Sequence, residues 1–251
     1  MNLLKRIYSR LFKQKKGKEK GFETYVFDMN TRYDLQTFHI IREILKPGSN
    51  TIDIGAHKGD ILIKMIEAAP DGKHFAFEPI PDLYGCLKKT FKNKAAIFPY
   101  ALGDKNASVP FNYVTSNPAY SGLLRRKYDR TEKDTTIEVE VRKLDDIIPA
   151  DIPVEFIKID VEGAEFGVLK GAVKILTRWK PVIIYEQGIG GSDIYGTEPD
   201  VFYDFMHSLG YSISLMEYYL LKKEPLGREE YCNQFRKGYN FYFIAYKALN
   251  I

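Results

Sequence analysis

Short apolar alternations that run into a polar turn, followed by apolar residues three and four apart, recur along most of the chain. "TIDIG", Thr51 to Gly55, reads as a strand, and "DILIKMIEAA" after it as a helix that stops at "PDG". "HFAFEP" reads as a second strand. "PDLYGCLKKTFKN" reads as a second helix, with Pro81 in its first turn, where a missing N–H breaks no helical bond. "AAIFPYAL" is expected to be a third strand, broken by Gly103-Asp104. From about Lys105 the rhythm changes: "ASVPFNYV" and "TIEVEVRKL" alternate like antiparallel strands around a polar loop. It then returns with strand "VEFIKID", helix "EFGVLKGAVKILTRW", strand "PVIIYEQG", helix "PDVFYDFMHSLG" and strand "YSISLM". The aromatic-rich "NFYFIAYK" reads as a last strand, and "DLQTFHIIREIL", stopped by Pro47 and Gly48, as a leading helix. Strand alternating with helix predicts an α/β fold with a parallel sheet covered on both faces. Ligands of such sheets bind outside the C-terminal strand ends. The residues to examine are therefore Asp53 to Asp60, Glu78-Pro79, Leu102 to Asp104, Asp160 to Glu165 and Glu186 to Gly188.

Charge adds a boundary. The chain of 251 residues carries a net +4, but residues 1–20 hold eight Lys/Arg and one Glu, a local +7, which leaves −3 for the remainder. The folded body is therefore not a basic, nucleic-acid-like surface. In the arm, Leu3, Leu4, Ile7, Tyr8, Leu11 and Phe12 fall at helical spacing with Lys/Arg on the other face. Such a segment suits either an anionic membrane surface or a solvated helix packed on the domain. It is too short and interrupted for a signal peptide or a spanning helix. The expected organisation is a basic amphipathic arm over 1–20, a helical lead-in over 21–49 and one domain over 50–251. The two cysteines, Cys86 and Cys232, form no metal or dithiol motif and read as reduced thiols.

Three strand ends carry the chemistry. In "NTIDIGAHKGD" Gly55 and Gly59 allow a sharp turn and close approach of a ligand to the backbone. A phosphate loop would end in Gly-Lys-Ser/Thr, whereas this one has Lys58-Gly59-Asp60. A dinucleotide loop would show a third glycine. Asp53 and Asp60 suit a cation better than a pyrophosphate. Glu78 ends the second strand, where a carboxylate can accept hydrogen bonds from both ribose hydroxyls of any adenosine cofactor. In "FIKIDVEGAEFGVLKGA", Lys158 and Asp160 share one side of the strand. Glu162 and Glu165 follow around Gly163, more carboxylates than a helix start needs.

"IDIGAHKGD", "FEP", "ALGD" and above all "IKIDVEGAEFGVLKGA" with "PVIIYEQ" resemble the FkbM-type methyltransferases, from about Thr51 to Tyr211. The resemblance implies a Rossmann-like seven-stranded class I methyltransferase sheet and S-adenosylmethionine as cofactor. It also implies a cytoplasmic O-methyltransferase acting on a sugar, glycolipid precursor or natural-product hydroxyl; the acidic folded body in turn argues for no nucleic-acid partner, since phosphate contacts need Lys/Arg. Carried over by position, Asp53, Gly55, Ala56 and Gly59 would shape the site for the methionine part, and Glu78 would hold the ribose. Leu102 to Asp104 would lie near the adenine, and Asp160 near the amino group or the transferring methyl. The family often has Asn where this chain has His57; both donate a hydrogen bond. For a general base the candidates are Glu162, then Asp160, then His57. Asp160 and Glu162 also offer hard oxygen ligands for a divalent cation, but no full ligand set is visible, so no metal site is assigned.

In the polar insert from Ser116 to Asp134, Tyr120, Arg125, Arg126, Tyr128 and Arg130 suit contact with a sugar or an anionic carrier, or form a solvated loop. Two enzyme alternatives match in letters only. Tyr84-x-x-x-Lys88 has dehydrogenase spacing, yet falls in a helix away from the strand ends. "SNPAY" faintly matches the loop of nucleic-acid N-methyltransferases, but precedes "FIKID" and lacks a second proline. A non-catalytic, membrane-associated cofactor-binding module is the remaining alternative.

Overall fold

The structure, a computed structural model, describes residues 28–128 and 130–247. The basic arm and most of the approach to the first helix lie outside the described residues. The chain divides into two compact units, residues 1–35 and 36–251. In the first, Asp28 begins α1 (Met29–Ile44): its carboxylate accepts from Thr31 N at 2.9 Å and Thr31 Oγ1 at 2.8 Å. Such a cap satisfies a donor that the helix start leaves free, so α1 begins one turn earlier than its apolar pattern.

The second unit is built on a seven-stranded sheet. β1 (Thr51–Ile54) pairs in parallel with β2 (His74–Phe77) on one side and β7 (Phe156–Ile159) on the other. β3 (Ala96–Phe98) extends the sheet beyond β2, and β8 (Val182–Glu186) lies beyond β7. β10 (Tyr242–Lys247) runs antiparallel between β8 and β9 (Tyr211–Ser214). The order β3-β2-β1-β7-β8-β10-β9, with one antiparallel strand, is the class I methyltransferase arrangement. β1, β2 and β7 are buried at every residue, as strands covered on both faces must be.

The core shows both coverings. Phe75 and Phe77 of β2 join one cluster with Val168, Leu169, Phe202 and Tyr231. Ala76, facing the other way, packs with Leu62 of α2 (Asp60–Ala68) and Leu87 of α3 (Pro81–Thr90). The first cluster is fed by α5 (Glu165–Lys170), α6 (Val173–Trp179), α7 (Pro199–Ser208) and α9 (Arg228–Arg236). Two short helices, α4 (Leu144–Ile147) and α8 (Met216–Leu220), complete the α-helices among the described residues, and Pro118–Tyr120 forms one 3-10 turn. Cys86 and Cys232 are free thiols.

Two expectations are corrected. "AAIFPYAL" is not one strand broken at Gly103-Asp104: it breaks at Pro99, which has no N–H to give a ladder. β3 stays in the main sheet, while β4 (Tyr100–Leu102) pairs with β6 (Asp134–Arg142) in a second sheet. β5 (Ala107–Val114) completes that sheet, antiparallel to β6 as its alternation predicts. "EFGVLKGAVKILTRW" is two helices, not one. Asp145, from α4, accepts from Lys174 N at 2.8 Å and Ile175 N at 3.1 Å and so caps a fresh start at α6. Between the two, Gly171 lies so close to Gly103 that an added Cβ would sit 2.0 Å from its carbonyl oxygen.

Candidate active site

Strand order reverses between β1 and β7, and their C-terminal ends meet backbone to backbone. Gly55 leaves β1 at φ +78°, and a Cβ there would lie 1.8 Å from the Asp160 carbonyl oxygen. Only glycine fits both demands. Gly55 N and Ala56 N each donate to Phe77 O at 3.0 Å, which ties the loop to the end of β2. His57 and Glu162 both take left-handed backbone, at φ 49° and 59°. Non-glycine residues held this way store strain and gather at functional sites.

Above this junction lies a cavity lined by Gly55, His57, Glu78, Leu102, Asp160 and Glu162, with an apolar wall that includes Phe77, Ile80, Ala101 and Phe111. The structure thus gathers all three expected base candidates with four of the expected cofactor residues, Asp160 counting as both. The others stand back. Asp53 is buried beneath the loop. Ala56 packs with Leu62 and Leu87, and Gly59 lies against Phe91, where a Cβ would come within 2.5 Å of the ring. Asp104 is not on this cavity: it is paired with Lys170 at 2.5 Å beside a second cavity.

Hydrogen bonds fix each carboxylate. Glu78 Oε2 accepts from His57 N at 2.8 Å and Oε1 from Ile80 N at 2.9 Å. Asp160 Oδ2 accepts from Lys158 Nζ at 3.0 Å and from the Tyr242 hydroxyl at 2.5 Å. Glu162 Oε2 pairs with Arg126 Nη1 at 2.6 Å. Glu165 Oε1 accepts from Val161 N at 3.0 Å and Gly163 N at 3.3 Å, and so holds the turn that presents Glu162.

Burial sets the proton affinities. Glu162 is pushed up to about 8 by burial and then by the Asp160 charge, against the pull of Arg126. Burial pushes Glu78, Glu165 and Asp53 each up to about 7. Asp160 behaves differently. Burial pushes it up too, but Lys158 and the Tyr242 hydroxyl outweigh this and hold it below the ordinary carboxylate range. Burial lowers His57, whose Nε2 is enclosed without a partner.

Asp160 and Glu162 have a third acid beside them. Oxygens of Asp160, Glu162 and Glu186 lie within 4.8 Å of one another, a set that could hold a divalent cation. Glu186 ends β8 and was legible as a strand end. Tyr242 was not. Reading C-terminal strand ends misses it, because β10 is antiparallel and brings its first residue to the mouth, opposite Glu186 in register. The signal available was the single reversed strand.

The family described as the Methyltransferase FkbM domain matches residues 53–213, which contain the glycine loop, Glu78 and the whole Asp160 to Glu165 turn. The chain belongs to the FkbM methyltransferase family. Two curated relatives resemble this FkbM-family chain over part of their length. The 2-O-methyltransferase NoeI of Sinorhizobium fredii (strain NBRC 101917 / NGR234) is 27% identical over 154 residues, covering 55% of this chain and 63% of the relative. Methyltransferase sdnD of Sordaria araneosa is 24% identical over 152 residues, covering 48% of this chain and 59% of the relative. The chain spans about three-fifths of the length of these two relatives. The crystal structure of Methyltransferase FkbM from Methylobacillus flagellatus KT shares the fold, with a TM-score of 0.50 at 18% identity, over 80% of this chain and 44% of that one.

FkbM methyltransferases depend on S-adenosylmethionine, which is the cofactor of this chain. The lining fits it. Carboxylates of Glu78, Asp160 and Glu162 face the cavity and, among the described residues, no Lys or Arg lines it, which suits an ammonium and a sulfonium and not a pyrophosphate.

Proposed function

We propose that the protein is an S-adenosylmethionine-dependent O-methyltransferase acting on a hydroxyl of a sugar, glycolipid precursor or natural product. The observation that supports this reading most is the placement of Glu162 and Asp160 in the same cavity as Glu78 and Gly55. In this reading Glu78 accepts from the ribose hydroxyls with the lone pairs its backbone amides leave over, and Leu102 with Phe77 and Ile80 flanks the adenine. Asp160, held ionised by Lys158 and Tyr242, faces the cationic methionine end.

When bound, the cofactor supplies a methyl group on a sulfonium that is already a strong donor. Glu162 then does what remains. It takes the proton of the acceptor hydroxyl, the oxygen that would receive the methyl group the cofactor supplies. A base that must lose its own proton near pH 8 works better as pH rises toward that value. Holding the acceptor in line supplies the remaining acceleration. The name of the NoeI relative, a 2-O-methyltransferase, supports oxygen as the methylated atom.

Methyl transfer from labelled S-adenosylmethionine to a hydroxyl-bearing extract tests this reading. Glu162→Gln is expected to keep S-adenosylhomocysteine binding while turnover falls by about 10²–10⁴-fold, the usual contribution of a general base. Turnover near the wild-type level in that variant removes Glu162 from the role.

A further inference from the structure

A second, larger cavity of about 720 Å³ adjoins the first, and Leu102, Leu123 and Ala164 line both. Its size falls in the range that encloses a ligand of several hundred daltons. Its wall is mostly apolar: Val109, Pro110, Leu124, Val141 and Phe166 join the three shared residues. Gly103, Gly163 and Gly167 leave part of its lining bare of side chains. Polar groups are few: Tyr195 and Thr197 on one side, and the Asp104–Lys170 pair with Lys105 on another. Leu124 holds its place through its backbone N–H, which donates to the Tyr195 hydroxyl at 2.9 Å, yet the residue remains 43% exposed.

We propose that this cavity holds the apolar body of an amphiphilic acceptor, whose methylated hydroxyl extends past Leu102, Leu123 and Ala164 to Glu162. The assignment rests on the methyltransferase reading of the first cavity and narrows its acceptor to a molecule with an apolar part attached to a polar head. A free sugar would leave the apolar wall uncovered, and a wholly apolar molecule would offer nothing to the carboxylates. The shared wall ties the space to the reaction, because an occupant of either cavity touches Leu102, Leu123 and Ala164. The insert supplies Leu123 and Leu124, so the loop that carries Arg126 to Glu162 also shapes the apolar wall.

Methyl, hexyl and octyl β-glucosides, used below their micelle concentrations, probe the cavity by calorimetry with and without S-adenosylhomocysteine. Affinity is expected to rise with chain length, by up to about fourfold per buried methylene. Gly167→Phe should fill the cavity. A Cβ there meets only Gly103 Cα, at 3.9 Å, so the helix accepts a side chain, and Gly167→Ala serves as the control. Gly167→Phe is expected to weaken octyl glucoside at least tenfold and to leave S-adenosylhomocysteine unchanged. Leu124→Asp, at an exposed position, should weaken the octyl probe in the same way without disturbing the core. Affinity independent of chain length, or octyl binding unchanged in both variants, overturns the proposal. Failure of S-adenosylhomocysteine to bind while the chain-length dependence persists overturns the methyl-donor reading instead and leaves the apolar site standing.

Discussion

Asp53 keeps Oδ2 enclosed with no hydrogen-bond partner, and burial raises its carboxyl from an ordinary 3.8 to about 7. The folded state therefore binds a proton that the unfolded chain has already lost between those values. Its contribution to stability is complete below the lower value and is lost as pH rises through the upper one. Asp53→Asn cannot titrate, so its melting temperature relative to wild type is expected to rise between pH 5 and pH 8; a flat difference contradicts the shift. At Glu162 the same physics acts on rate. The pH profile of kcat is expected to climb to a plateau above about pH 8, because the free carboxylate is the working form. A plateau reached by pH 6 would mean that Arg126 holds Glu162 ionised throughout. The sequence shows Asp160, Glu162 and Glu78 because each sits one or a few positions past an apolar run. It does not show that Lys158 and Tyr242 keep Asp160 ionised, since Tyr242 lies 82 positions away.

Elements divide where backbones come too close, or where proline removes a donor, and apolar spacing records neither. Pro99 was visible in "AIFPYAL", yet the pattern continues through it, and only pairing partners tell that β4 leaves for the second sheet. Gly171 looked like an ordinary helix glycine; its reason is the carbonyl of Gly103, from a segment 68 positions earlier. Gly171→Ala is expected to cost about 3 kcal/mol in chemical denaturation, as overpacking against backbone does. Gly85, exposed in α3 with nothing within 4 Å of an added Cβ, is expected to do the reverse. Gly85→Ala should gain about 0.5–1 kcal/mol through helix propensity. Equal effects at the two positions would refute the steric account of the α5–α6 break. The helix Arg228–Arg236 escaped the sequence reading, although Tyr231, Cys232 and Phe235 bury one face at helical spacing amid charged residues.

For the whole molecule, one sheet order explains why distant segments share a site. Placing β1 beside β7 brings Gly55 against Asp160, and threading β10 between β8 and β9 delivers Tyr242 to the same mouth. Strand alternation made the parallel sheet and the antiparallel β5–β6 pair legible; the addition of β4 to that pair and the cavity beside it were not, because they depend on which strand β4 pairs with. Among the described residues no helix is long and apolar enough to cross a membrane. The central claim is that the acidic cavity takes an adenosyl sulfonium cofactor and not a dinucleotide. Calorimetry with S-adenosylhomocysteine and with NADH tests it most directly, in wild type and Glu78→Gln. The expected result is one S-adenosylhomocysteine per chain and no heat with NADH. Glu78→Gln should weaken the complex about 10–100-fold, the worth of a hydrogen bond to a charged group. NADH binding in place of S-adenosylhomocysteine, or an affinity indifferent to Glu78, would contradict it.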